Sequence, residues 1–367
     1  METINSKKIM FSGGGTGGSV TPLLAVAEEL LKDDRDLNLV FVGAKIGPEK
    51  ELVKNFKTKE IKFIELISGK WRRYFSIYNF LDIFKIIIAF FTSLKILGEE
   101  KPALVISAGS FVSVPLVWAA AFYKIPILIH QQDIRPGLAN KLMAPFARVV
   151  TISFEKSFID YGPRAVLTGN PIKDISLHET KRIETRKNYS LELDKPLVLV
   201  IGGGTGALAL NKLIEDSVSN NNLLDICQLV HLTGRGKASG INTSNQNYHS
   251  FEFLDQSEVL SLMAAADLVI SRCGLGVLTE LSALTKATIL IPIPNSHQEE
   301  NAAVFGEAKA AIVLNQLELT SEKIKLEVDK LLGDSRFRGE LMNNISKVMK
   351  PQAAQNVAAL IWEIIKK

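Results

Sequence analysis

Cysteine is scarce in this 367-residue chain, which holds two, Cys227 and Cys273. That is too few for a disulfide framework and suits a reducing compartment. Neither stands in a C-x-x-C pair or a Cys/His cluster, so no structural zinc site is expected. A secretory core is missing too, because four apolar or small residues after Lys8 lead straight into a glycine run. With 47% hydrophobic and 22% charged residues, the composition excludes disordered, collagen-like and mucin-like classes. The length is about twice that of a usual domain, so two domains are expected.

The formal charge of +4 is unevenly spread. Residues 1–170 carry 22 Lys and Arg against 16 Asp and Glu, while the remainder is slightly acidic. A basic N-terminal half suits an anionic surface, although scattered surface lysines would produce the same figure.

What is present is an internal echo. Ile9–Ser12 is a short apolar run ending in GGGTG at 13–17, and Leu197–Ile201 followed by GGGTG at 202–206 repeats it 189 positions later. Each is followed by a helical pattern, Leu23–Leu31 and Ala207–Ile214. Strand, glycine turn and helix open a doubly wound α/β domain, so two openings predict two such domains. Near-continuous apolar runs predict further strands buried on both faces of a parallel sheet. These are 39–42, 62–66, 104–107, 127–130 and 149–152 in the first half, and 229–232, 251–254, 268–271, 288–291 and 311–314 in the second. Ala353–Lys367 reads as a final helix.

A glycine turn lets backbone amides approach an oxyanion, but several site types share it. A Walker A loop needs a following lysine and hydroxyl, which neither turn has. A dinucleotide site needs a carboxylate ending the second strand, where this chain has Val42-Gly43-Ala44. The G-x-S-x-G elbow of serine hydrolases occurs nowhere. A nucleotide held in another manner remains. In Ser271-Arg272-Cys273-Gly274-Leu275-Gly276-Val277-Leu278-Thr279-Glu280, Glu280 falls about one turn into a new helix. There it either accepts both hydroxyls of a ribose or simply complements the helix dipole. The polar run Asn295–Ala302 offers Gln298 and Asn301 as readers of sugar hydroxyls, or a solvated helix start.

Taken in order, nine motifs resemble one family over nearly the whole chain. They are GGGTGGS (13–19), GSFVSVP (109–115), HQQD (130–133), GLANK (137–141), GNP (169–171), GGGTGALALN (202–211), HLTG (231–234), SRCGLGVLTE (271–280) and HQEENA (297–302). The chain resembles the bacterial UDP-N-acetylglucosamine–N-acetylmuramyl-(pentapeptide) pyrophosphoryl-undecaprenol N-acetylglucosamine transferases, the MurG family. The resemblance implies a GT-B fold of two Rossmann-like domains facing across a cleft. It implies inverting transfer of N-acetylglucosamine from UDP-N-acetylglucosamine to the C4 hydroxyl of the muramic acid of lipid I, giving lipid II. It also implies residues 1–168 as the acceptor and membrane-associating domain, 169–195 as a linker, 196–350 as the UDP-sugar domain and 351–367 as a closing helix.

Donor contacts carried over by the resemblance are Thr16, Gly17 and Gly18 in the first turn, Asp133, Lys173 after GNP, and Gly204 in the second turn. Leu254 would bracket the uracil, Leu275, Gly276, Val277, Leu278, Thr279 and Glu280 the diphosphate and ribose, and Gln298 the sugar. Ser19 stands where the family usually has histidine. The family's H-E-Q-N reads His130-Gln131-Gln132-Asp133, so the carboxylate has moved two positions along. An inverting transfer needs a base for the C4 hydroxyl, a role expected of Asp133, with His130 as runner-up and Ser19 able only to hydrogen-bond. No cofactor, metal or nucleic acid is implied, and Asp34-Arg35-Asp36 reads as a solvated turn.

Residues 69–97 join a basic aromatic lead-in, Lys70–Phe75, to an apolar stretch long enough to span a bilayer. Asn79, Asp82, Lys85 and Ser93 interrupt that stretch, so a domain helix packed on the sheet is expected. The lead-in is expected to touch the inner-membrane surface, making a peripheral protein at its cytoplasmic face. Two alternatives stay open: another GT-B enzyme, such as a diacylglycerol glycosyltransferase or a non-hydrolysing epimerase, and a catalytically silent UDP-sugar-binding scaffold.

Overall fold

The computed structural model describes residues 8–67, 69, 77–175, 178, 180–203, 207–220, 222–237, 240 and 245–366. The chain forms two compact units, one running up to Lys173 and resuming at Lys350, the other spanning Asp174–Met349.

In the first unit the strands are β1 (Lys8–Ser12), β2 (Asn38–Gly43), β3 (Lys62–Glu65), β4 (Leu104–Ser107), β5 (Ile127–Gln131), β6 (Val149–Ile152) and β7 (Ala165–Leu167). They lie in the order β3-β2-β1-β4-β5-β6-β7, with every pair parallel. In the second unit β8 (Leu197–Ile201), β9 (Gln228–Leu232), β10 (Tyr248–Phe251), β11 (Leu268–Ser271), β12 (Thr288–Leu290) and β13 (Ile312–Val313) lie in the order β10-β9-β8-β11-β12-β13, again parallel. The order reverses beside β1 and beside β8, and each glycine turn follows the strand at that switch point, where open α/β sheets bind ligands. Both sheets are doubly wound. The apolar runs are buried through most of their length, as two helix-covered faces require.

Three local expectations change. Ala165–Leu167 is an additional strand, three residues being too few to show a period. The expected strand 251–254 instead ends at Phe251, because Asp255 and Glu258 form a capping box that starts the helix Gln256–Ala265. The expected linker 169–195 is divided between the two units. Its polar composition hides a buried staple: Arg186, 2% exposed, donates to the carbonyls of Glu192, Leu193 and Lys195 and to Asp267 at 2.7 Å. The last helix, Ala353–Lys366, returns to the first unit, burying Val357, Ile361 and Ile364 beside Leu23 and Leu30. Gly169 lets the chain pass there, since a Cβ would stand 2.3 Å from the Lys350 carbonyl oxygen and φ is +83°.

The helix Ile77–Glu100 inverts its expected amphipathicity. Asp82, Ala89 and Ser93, which share one face, are buried, whereas Phe84 (58% exposed), Ile87, Ile88 (64%) and Phe91 (64%) point outward at helical spacing. Core packing of the apolar stretch is therefore corrected to half of it. The small and polar side fits under the neighbouring helix Ser113–Phe122, and Ser93 donates back to the Ala89 carbonyl at 2.7 Å. Lys70–Phe75 lies outside the described residues.

Candidate active site

At the C-terminal end of β1 the glycine turn is finished by its own chain. Ser19 is buried, with its Oγ 3.0 Å from both the amide nitrogen and the carbonyl oxygen of Gly14, so the hydroxyl closes the turn and faces no ligand. Glu49, fully buried, accepts the Gly15 amide at 3.2 Å and the Ala44 amide at 2.9 Å. A Cβ on Gly14 would meet Glu49 Oε1 at 2.4 Å, so a larger residue there would push Glu49 off its amides. Thr16 and Gly18 are exposed and Gly17 half-exposed, leaving the rim of the turn to solvent. Sequence reasoning missed Glu49. It comes soon after β2, where a dinucleotide carboxylate would be sought, but it is spent on amides.

At the end of β5, His130 is 1% exposed. Its Nε2 donates to Asn170 Oδ1 at 3.1 Å, and Nδ1 lies 2.9 Å from Thr151 Oγ1. Burial pushes its pKa down to about 4, with the Asn170 hydrogen bond pulling the other way. With both nitrogens held and 1% exposure, His130 sits as a structural hydrogen-bonder does. Asp133 is half-buried in the loop beyond the strand. Lys173 is exposed at the end of the first stretch of this unit.

In the second unit β11 ends at Ser271, and the helix Leu275–Ala283 starts from Gly274 with no side-chain cap. Its first-turn amides are therefore not claimed by a capping side chain of the N-cap residue, which is what an anion site at a helix start requires. Gly276 is exposed and Val277 and Glu280 half-exposed, whereas Leu275, Leu278 and Thr279 are buried. The Thr279 hydroxyl donates to the Leu275 carbonyl at 2.8 Å. Those three can thus offer a ligand little beyond backbone.

Glu280 accepts from Gln256 Nε2 at 3.2 Å. Burial pushes its pKa up to about 7, the Gln256 bond opposing. Half-buried Leu254 precedes Gln256 by two residues, so uracil and ribose candidates meet here. Nothing in the sequence flagged Gln256.

Gln298 Oε1 accepts the amides of Cys273 at 3.1 Å and Ile293 at 3.2 Å, tying two strand ends together while its Nε2 stays available. Asn301 is fully buried and donates to the Cys273 carbonyl at 3.2 Å, which removes it as a sugar reader. Ser296 caps the helix His297–Glu307. Gly204 lies outside the described residues. Among the described residues no group of three His, Cys, Asp or Glu side chains could hold a metal ion, and the Asp34 carboxylate accepts the Asp36 amide in a turn.

Residues 9–152 match the glycosyltransferase family 28 N-terminal domain and residues 197–357 the glycosyltransferase family 28 C-terminal domain. The UDP-N-acetylglucosamine--N-acetylmuramyl-(pentapeptide) pyrophosphoryl-undecaprenol N-acetylglucosamine transferase of Clostridium kluyveri is 38% identical over 98% of this chain and 99% of its own length. The chain belongs to this transferase family. Within it, the transferase of the same name from Clostridium botulinum (strain Langeland) is 36% identical over 98% of this chain and 100% of its own. The crystal structure of Acinetobacter baumannii MurG matches with a TM-score of 0.76 at 26% identity, covering 97% of this chain and 99% of that one. The two doubly wound parallel sheets are the family's GT-B architecture.

Proposed function

We propose that this chain transfers N-acetylglucosamine from UDP-N-acetylglucosamine to the C4 hydroxyl of N-acetylmuramyl-(pentapeptide)-pyrophosphoryl-undecaprenol, inverting the anomeric configuration and forming lipid II. The reading is carried by full-length similarity to transferases of that name, and the uncapped helix start beside Glu280 supports it. Asp133 takes the C4 proton as the C4 oxygen attacks the anomeric carbon and the bond to the diphosphate breaks. The charge gathering on UDP is met by the amides of the Leu275–Ala283 N-terminus. Glu280 accepts the ribose hydroxyls, Leu254 lies against the uracil, and Gln298 donates to the sugar through Nε2. Thr16, Gly17, Gly18, Lys173 and Gly204 complete the donor contacts. The domain roles proposed are acceptor and membrane for the first unit, UDP-sugar for the second.

The decisive experiment measures UDP release by purified, metal-free protein with and without a lipid I analogue. Acceptor-dependent release is expected; donor binding without turnover would favour the silent scaffold.

The protein works peripherally at the cytoplasmic face of the membrane in this reading. No helix among the described residues is long and apolar enough to cross a membrane. The outward row Phe84, Ile87, Ile88 and Phe91 suits an interface, since each such side chain gains about 1.5–3 kcal/mol on full burial. Phe91→Asp should cut sedimentation with anionic vesicles while turnover on a soluble acceptor persists; unchanged sedimentation would place the contact elsewhere.

A further inference from the structure

Gln131 ends β5 at 2% exposure, and every polar position of its amide is used. Oε1 accepts from Asn140 Nδ2 and from the Tyr161 hydroxyl, both at 2.7 Å. Nε2 donates to the backbone carbonyl of Asp133 at 2.6 Å and to that of Arg135 at 3.1 Å. The stretch from Gln132 to Arg135 belongs to no helix or strand, so its shape depends on such bonds. One further bond is that from Ser157 Oγ to the Ile134 carbonyl at 2.8 Å.

We infer that Gln131 is the positioning residue for Asp133 in this chain, holding the loop that carries the carboxylate through the two donors of its amide. This rests on the reading of Asp133 as the base. A carboxylate at 131 would keep the acceptor side but aim an oxygen without a proton at two carbonyl oxygens. Buried in that setting, its own pKa would stand above the usual carboxylate range, and protonation would restore one donor. The titratable and charged groups facing this position are Tyr161, whose phenol burial and Asp160 push up, Asp160 with Arg135 at 3.6 Å, neutral His130, and Asp133 itself.

The test compares wild type with Gln131→Glu across pH 5–9, reading kcat, donor KM and amide hydrogen exchange over residues 132–136. At alkaline pH, Gln131→Glu is expected to lose about 10²-fold in kcat, the scale of a misplaced catalytic group, with donor KM little changed. The ratio of variant to wild-type kcat should climb as pH falls, as protonation returns one donor to position 131. Exchange should rise in the loop at alkaline pH. Tyr161→Phe, which removes an acceptor-side partner only, should stay within about threefold of wild type and guards against a folding artefact.

Wild-type kcat and exchange in Gln131→Glu at every pH would overturn the inference, as would a pH-independent loss with unchanged exchange. Normal turnover by Asp133→Asn strikes at the base assignment instead. Gln131→Glu would then keep its kcat while the loop still loosened.

Discussion

The two units treat their ligand-facing turns in opposite ways. In the first, the amides of Gly14 and Gly15 are taken by Ser19 and Glu49 from the same unit. In the second, Gly274 has no side chain with which to cap the helix it starts, so its first-turn amides are left without that partner. A glycine pattern thus specifies a backbone path but not its occupant, which is decided by whichever acceptor the fold brings near. The difference also separates labour. In the proposed function, turnover rests chiefly on Asp133 of the first unit and hold on the donor chiefly on side chains of the second.

The largest expected break in that separation is Asp133→Asn, which should lower kcat by about 10²–10⁴-fold with donor KM largely kept; near-normal turnover would refute the assignment. Next, Glu280→Gln should weaken UDP binding on the order of 10–100-fold, since a charged acceptor contributes about 1.5–3 kcal/mol, with a smaller change in kcat. The pKa of about 7 adds a sign. Below it Glu280 is protonated, so calorimetric affinity for UDP-N-acetylglucosamine, whose diphosphate does not titrate in this range, should fall as pH drops through about 7, and that slope should vanish in Glu280→Gln.

A feature common to both units sets the next effect. His231, like His130, is buried at a strand end, with Nε2 3.2 Å from Asn211 Oδ1 and Nδ1 2.9 Å from the Tyr248 hydroxyl, and burial likewise pushes it down to about 4. In the unfolded chain both take a proton near pH 6.5, so their contribution to stability is present above that value and is lost as pH falls towards 4. Melting curves over pH 4–7 check this, and a flat Tm would contradict it.

The smallest effects make a matched pair. Gly14→Ala should destabilise by about 1–3 kcal/mol by forcing Glu49 off its amides. Gly276→Ala, with nothing within 4 Å of its Cβ and a helical position, should stabilise by about 0.5–1 kcal/mol. Equal shifts in thermal melts would erase the contrast drawn between the two turns.

The role of Glu49 shows where reading a sequence stops. Its partner Gly15 lies 34 positions away, and Asn170 lies 40 positions from His130. Polar partnerships of that range leave no period or local signal. Gln256 beside Glu280 was hidden for the same reason, whereas Gln131, only two positions from Asp133, showed its role once folding brought Asn140 and Tyr161 to its oxygen. The outward face of Phe84 and Phe91 was hidden because an apolar residue looks alike in a core and on an interface. The family motifs, by contrast, were legible as contiguous strings.

By itself the sequence determined two doubly wound parallel sheets with a glycine turn at each switch point, since apolar runs and helical periods are local and each strand's burial on two faces is written in its own residues. Tertiary structure alone decided which amides are occupied, which histidine is silent and which helix face looks out, because those follow from partners that folding brings together across the chain.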